Sequence, residues 1–181
     1  VSSYCRSEDT DAVFTDVPGL CLAVKTADCI PVLLYDHRLR KVAAIHAGWK
    51  GTVQRIVEKT IEAMGSTGSN LSAIIGPGIS LQSFEVGDEV YERFLAEGFP
   101  MQRIAHRWPA LSESPSTQLG KWHIDLWDAN AWLLEQCGVR DIHIAGIDTM
   151  TSPMYYSARR ETINTGRNYN WIEILDEQSA L

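Results

Sequence analysis

Two apolar runs, at residues 30–35 and 42–45, are separated by a short polar stretch containing His37-Arg38-Leu39-Arg40. A crossover between parallel strands takes a dozen or more residues, so the connection between these two runs reads as a hairpin. That argues against a purely parallel sheet. Strand-like and helix-like segments alternate along the rest of the chain. Residues 19–24, after Pro18-Gly19, form a further short apolar run, and residues 71–75 form another, ended by Gly76-Pro77-Gly78; both predict strands. Residues 52–64 carry Val53, Ile56, Val57, Ile61 and Met64 at helical spacing before Gly65, which predicts a helix with a C-terminal stop. Residues 85–95 predict a second helix. Residues 125–137, with Leu126, Trp127, Ala129, Trp132, Leu133 and Cys137 ahead of Gly138, predict a third. Residues 139–145 and 169–175 read as strands. Residues 103–120 are polar and rich in Pro and Ser, which predicts a long loop of the kind that serves as a lid or binding segment. No internal repeat occurs. The expectation is one mixed-sheet, layered α/β domain over residues 1–181.

A chain of 181 residues can bury a core of its own. The net charge of −7 argues against nucleic-acid partners, because phosphate binding wants a basic face. No apolar run reaches membrane-spanning length. The four cysteines, at positions 5, 21, 29 and 137, include no CxxC pair, which fits a reducing cytoplasm rather than a disulfide framework. Cys21 and Cys137 lie within apolar patterns and are expected to be buried core thiols. The chain opens on Val1 with a polar, aperiodic stretch, and the expectation is that its natural N-terminal part is missing.

Chemistry concentrates in Thr26-Ala27-Asp28-Cys29-Ile30-Pro31-Val32 and His46-Ala47-Gly48-Trp49-Lys50-Gly51. Each sets a thiol or an imidazole at the edge of a strand. The pair could hold zinc or copper, since both metals suit sulfur and imidazole nitrogen. It could equally form a nucleophile and its base. Asp28 beside Cys29 is awkward within a strand unless the segment reaches a polar site. Gly48 and Gly51 permit close approach of backbone to a ligand, or simply a tight turn. Lys50 could meet an anion at the start of the following helix, or be solvated. Gly76-Pro77-Gly78 could cradle a phosphate, or be an ordinary strand-to-loop turn. Glu85 and Asp88 are expected at a helix start, and His123 and Asp125 on one face of an extended segment. Arg159, Arg160 and Arg167 form a basic concentration, able to bind phosphate or carboxylate in bidentate fashion, or to make surface ion pairs.

Together, Lys25 to Val32, His46 to Gly51, Ile75-Gly76-Pro77-Gly78-Ile79, Phe84-Glu85-Val86-Gly87, His123-Ile124-Asp125-Leu126-Trp127, Ser157-Ala158-Arg159-Arg160 and Thr165-Gly166-Arg167 strongly resemble the laccase-domain family, also called the polyphenol oxidase or peptidoglycan-editing factor family, of purine nucleoside phosphorylases. The resemblance implies a fold related to putative cysteine hydrolases. It also implies a metal site, usually zinc, of two histidines and one cysteine. Cys29 matches the family's cysteine ligand and His46 its second histidine. The first histidine belongs to a Gln-Val-His segment that does not occur here, so the site in this chain is expected to be incomplete. Asp148-Thr149 stands where many members have Cys-Thr, which weakens a multi-copper reading, and Lys50 stands where Arg is common.

The activities implied are phosphorolysis of adenosine, inosine and methylthioadenosine, and deamination of adenosine. Copper-dependent phenol oxidation and a role in peptidoglycan clean-up are also associated with the family. The leading expectation is a zinc-dependent purine nucleoside enzyme, with purine nucleosides and phosphate as its small-molecule partners. Asp28 or Glu85 would pass protons, and Lys50, Arg159 and Arg167 would hold phosphate. One alternative is a copper polyphenol oxidase, under-supplied by the five histidines at 37, 46, 106, 123 and 143. Another is a metal-free hydrolase or amidase with Cys29 as nucleophile and His46 as base. A nucleoside-binding module without turnover is a fourth reading.

Overall fold

The computed structural model describes residues 10–108 and 120–175. The hairpin forms as the short connection requires. Strands β3 (Ile30–Asp36) and β4 (Lys41–Ala47) pair antiparallel with Ile30 opposite Ala47 and Asp36 opposite Lys41. Around them a five-stranded sheet assembles in the order β1-β4-β3-β5-β9, with β1 at Ala12–Thr15, β5 at Leu71–Ile75 and β9 at Asp141–Ile144. Its only parallel pair is β5 with β9; the others are antiparallel.

Strand periodicity divides the hairpin between two environments. Ile30, Val32 and Leu34 share a face with Ala43, Ile45 and Ala47, all fully buried. They join one core with Val57, Ile61 and Met64 of α2 (Ile56–Met64) and Ala129, Leu133 and Leu134 of α5 (Leu126–Gln136). The opposite face presents Pro31, Leu33, Val42, Ala44 and His46. A separate antiparallel ribbon, β2 (Leu22–Thr26) with β10 (Asn168–Ile172), packs across it against β3 and β4. A three-stranded sheet in the order β6-β8-β7 completes the fold, from Glu85–Val86 (β6), Ala105–Trp108 (β7) and Lys121–Ile124 (β8). The result is a mixed α/β fold with several sheets.

Four expectations need correcting. The helix at 52–64 is two helices, α1 (Trp49–Val53) and α2, because Arg55 adopts a left-handed conformation at φ 59°. Its guanidinium lies 5.6 Å from the Phe99 ring and 5.4 Å from that of Trp132, and it bonds to Glu58, so packing and charge hold the break open. Glu85 is not at a helix start: it pairs with His123 across β6 and β8, and the helix α3 begins at Asp88 (Asp88–Ala96). The segment 103–108 is not loop. Met101–Ile104 forms α4, and Ala105–Trp108 pairs with β8, Ala105 opposite Ile124. Residues 109–119, and with them the lid reading, lie outside the described residues. Finally, Cys21 is exposed rather than buried, because the chain there enters a ribbon covered on one face only; Cys137 is partly buried.

Candidate functional site

Cys29 and His46 meet because of strand register. His46 lies opposite Pro31. Cys29, one residue before the hairpin pairing begins, falls opposite Gly48, and a Cβ built on Gly48 would lie 3.0 Å from the Cys29 sulfur. Gly48 itself has φ −69° and ψ 170°, an ordinary extended conformation. Glycine is therefore needed here for the thiol's room and not for backbone freedom. Cys29 and His46 are both partly exposed.

The corner that presents Cys29 is built by Asp28, whose φ of 86° is uncommon for a residue with a side chain. Its carboxylate is nearly buried and accepts two hydrogen bonds, from the Thr149 hydroxyl at 2.7 Å and from the Arg159 backbone N–H at 2.7 Å. These bonds hold the strained corner and tie the segment 149–159 to it. Gly76-Pro77-Gly78 packs beneath. A Cβ on Gly78 would lie 2.3 Å from the Ile30 side chain, and one on Gly76 2.8 Å from the Pro31 ring. The N–H groups of this turn are already used: Gly76 donates to Pro31, Gly78 to Ile147, Ile79 to Asp28 and Ser80 to Asp148. A phosphate cradle needs such groups free, so this turn acts as a packing floor.

His46 is flanked on its other side by Asp11. Its Nδ1 lies 2.9 Å from Asp11 Oδ1, and its backbone N–H donates to the Asp11 carbonyl at 2.7 Å. The Cys29 side chain is the largest influence on the imidazole. With the Asp11 carboxylate it outweighs desolvation and pushes the His46 pKa up to about 9. Asp11 was not legible as a site residue, because it stands 35 positions from His46 in an unremarkable Asp-Ala-Val-Phe stretch. Only the register of β1 on β4, with Ala12 opposite Ile45, reveals it as the next cross-strand partner.

The remaining predicted residues separate. The Arg159 guanidinium sits 5.6 Å from the Phe84 ring and bonds to the Glu85 carbonyl at 3.1 Å, while its backbone holds Asp28. It thus links the corner to β6. Lys50 is exposed in the first turn of α1, its ammonium 5.7 Å from the Trp49 ring. Arg167 donates to the carbonyls of Ile163, Thr165 and Gly166, fastening its own turn. Arg160 likewise donates to Thr149, Met150, Ser152 and Tyr155, folding the loop around itself. Asp148 is enclosed by the hydroxyls of Ser80 and Ser83 and the Met150 N–H. Burial acts to raise its pKa, and these donors more than offset it, so the carboxyl titrates below its usual range.

His123 and Asp125 do different jobs. His123 is buried and donates Nδ1–H to the Leu81 carbonyl, and Asp125 caps α5 by accepting from Asp128. The other histidines have partners of their own: His37 with Ser72, His143 with Asp141, and His106 with the Trp108 ring. Among the described residues, no group of three or more His, Cys, Asp or Glu side chains could hold a metal ion. No helix among them is long and apolar enough to cross a membrane.

Residues 1–175 match the family model described as multi-copper polyphenol oxidoreductase laccase. A purine nucleoside phosphorylase of Bacteroides thetaiotaomicron is 46% identical over 96% of this chain and 65% of its own length. The adenosine deaminase RL5, from an unknown prokaryotic organism, is 39% identical over 91% of this chain and 62% of its own. The crystal structure of a Neisseria meningitidis protein superimposes with a TM-score of 0.80 at 31% identity, over 93% of this chain and 66% of that one. This chain therefore spans somewhat less than two thirds of the curated relatives that it matches.

Proposed function

This chain belongs to the multi-copper polyphenol oxidoreductase laccase family, and we propose that it acts as a zinc-dependent purine nucleoside enzyme, phosphorolysing adenosine, inosine and methylthioadenosine and deaminating adenosine. The observation that carries this reading is the convergence of Cys29 and His46 on one sheet face, with Arg159 joined to the Asp28 corner by its backbone N–H and to the Glu85 carbonyl by its guanidinium. The names of the relatives, phosphorylase and deaminase, supply the substrate class.

Thiolate and imidazole are donors that zinc takes, and His46 Nδ1 is already engaged by Asp11, which leaves Nε2 for the metal. A catalytic zinc site wants three protein ligands. The reading therefore assigns Cys29 and His46 to the metal and takes a third ligand from outside the described residues. When bound, zinc would lower the pKa of a coordinated water towards neutrality. Arg159 is the phosphate holder in this reading, with Lys50 as a second cation, and its charge would also stabilise the ribosyl transfer. Arg167, committed to three carbonyls of its own turn, is left without a phosphate-holding role in this reading. Glu85 is the better proton carrier of the two acids, since the Asp28 carboxylate is spoken for by Thr149 and Arg159. The test is to incubate the zinc-loaded full-length protein with adenosine or inosine, with and without phosphate, and separate the products by chromatography. Phosphate-dependent free base, or inosine formed from adenosine, is the expected result; no product under any metal loading overturns the reading.

A specific observation favours one second reading. Cys29, His46 and Asp11 are arranged as a nucleophile, a base and the group that orients the base. That arrangement suits a metal-free hydrolase acting on amides such as those of peptidoglycan precursors. Activity that resists chelators and disappears on thiol alkylation would select it.

A further inference from the structure

We propose that Asp11 is a positioning residue that fixes which ring nitrogen His46 presents to the site. The proposal rests on the reading of Cys29 and His46 as the chemical centre, whether through metal or thiol. Asp11 and His46 are joined twice: the backbone N–H of His46 donates to the Asp11 carbonyl, and His46 Nδ1 lies 2.9 Å from the Asp11 carboxylate. The first bond continues the β1–β4 ladder, so the aspartate's position is set by backbone pairing and not by a mobile side chain alone. An ionised carboxylate can only accept. Nδ1 must therefore carry a proton, and in the neutral imidazole the lone pair is confined to Nε2. The face that His46 shares with Pro31 is the one on which Cys29 lies. One carboxylate thus selects both the tautomer and the ring orientation, which is how outer-shell acids support metal-bound histidines and catalytic bases alike.

Asp11 is itself largely exposed, at 60% of its side-chain surface, and its removal opens no cavity. Asp11→Ala should therefore fold as the wild type does. Long-range proton–nitrogen correlation of His46 in the metal-free protein, at a pH where the imidazole is neutral, reads the tautomer directly. The wild type should show the proton on Nδ1, and Asp11→Ala should move part or all of it to Nε2. Zinc affinity, measured by competition with a chromophoric chelator, should fall roughly 10–100-fold in Asp11→Ala, the usual effect of removing such a partner. Asp11→Glu should recover part of it. A wild-type His46 with Nδ1 unprotonated overturns the proposal, as does a tautomer in Asp11→Ala identical to that of wild type. Neither readout uses a nucleoside, so failure of purine turnover leaves this result standing, and failure here leaves the purine reading standing.

Discussion

Gly48→Ala isolates the thiol from the rest of the fold. Any L-residue tolerates the Gly48 backbone, at φ −69° and ψ 170°, so the substitution adds a methyl group without backbone strain. That methyl would stand 3.0 Å from Cys29 Sγ and 3.8 Å from Cys29 Cβ. Optimal contact between heavy atoms lies near 3.5–4.0 Å, so the sulfur must retreat by about half an ångström or more. Overpacking in a tight core costs about 1–3 kcal/mol. The sulfur is a single atom at the end of one torsion and only partly buried, so the cost here should fall at or below about 1 kcal/mol. The displacement acts where it matters chemically. A misplacement of 1 Å can cost about a hundredfold in rate, so half of that predicts a loss of roughly tenfold in turnover. Zinc affinity should fall by a comparable factor. Urea unfolding, chelator competition and nucleoside turnover on the same full-length preparation separate these effects. Wild-type zinc affinity together with wild-type turnover in Gly48→Ala would refute the claim that Gly48 exists to make room for the thiol.

Three further outcomes follow from the same geometry. Asp28→Ala removes both bonds that hold the strained corner and leaves the buried Thr149 hydroxyl without an acceptor; it should destabilise by about 2–3 kcal/mol in urea, and Asp28→Asn by distinctly less. His46 has its pKa raised to about 9 in the folded protein, above its ordinary value of 6.5. Its contribution to the stability of the metal-free protein is therefore fully present below about 6.5 and lost as pH rises through about 9, a fall in melting temperature that His46→Gln should abolish. Burial pushes the Cys137 thiol up to about 11, so at pH 8 mass spectrometry after iodoacetamide treatment should find Cys137 unmodified.

The sequence was most informative where local pattern decides structure. A short polar connection between two apolar runs forces a hairpin, and the burial of alternate residues in β3 and β4 follows from strand periodicity. Cys29 and His46 stood out because each sits beside small or turn-forming residues at a strand edge. What sequence did not show depends on register and on partners distant in the chain. Asp11 becomes visible only when β1 is laid on β4. Glu85 carried the acidic signature of a helix start, but pairing with His123 drew it into a strand and moved the helix start to Asp88. Arg55 has no local feature that ends a helix; two aromatic rings and two carbonyl or carboxylate acceptors hold its left-handed turn. Arg167 looked like an anion binder by composition, whereas a guanidinium can also satisfy three carbonyls of its own turn. Cys21 lay in an apolar run that proved to be half of a ribbon, where one face has no cover.

The most direct measurement compares wild-type and Cys29→Ala full-length protein, scoring bound zinc by elemental analysis and adenosine and inosine turnover with phosphate by chromatography in the same samples. The account predicts stoichiometric zinc and free-base formation in the wild type, with both lost in the variant. Undiminished nucleoside turnover by Cys29→Ala would contradict it.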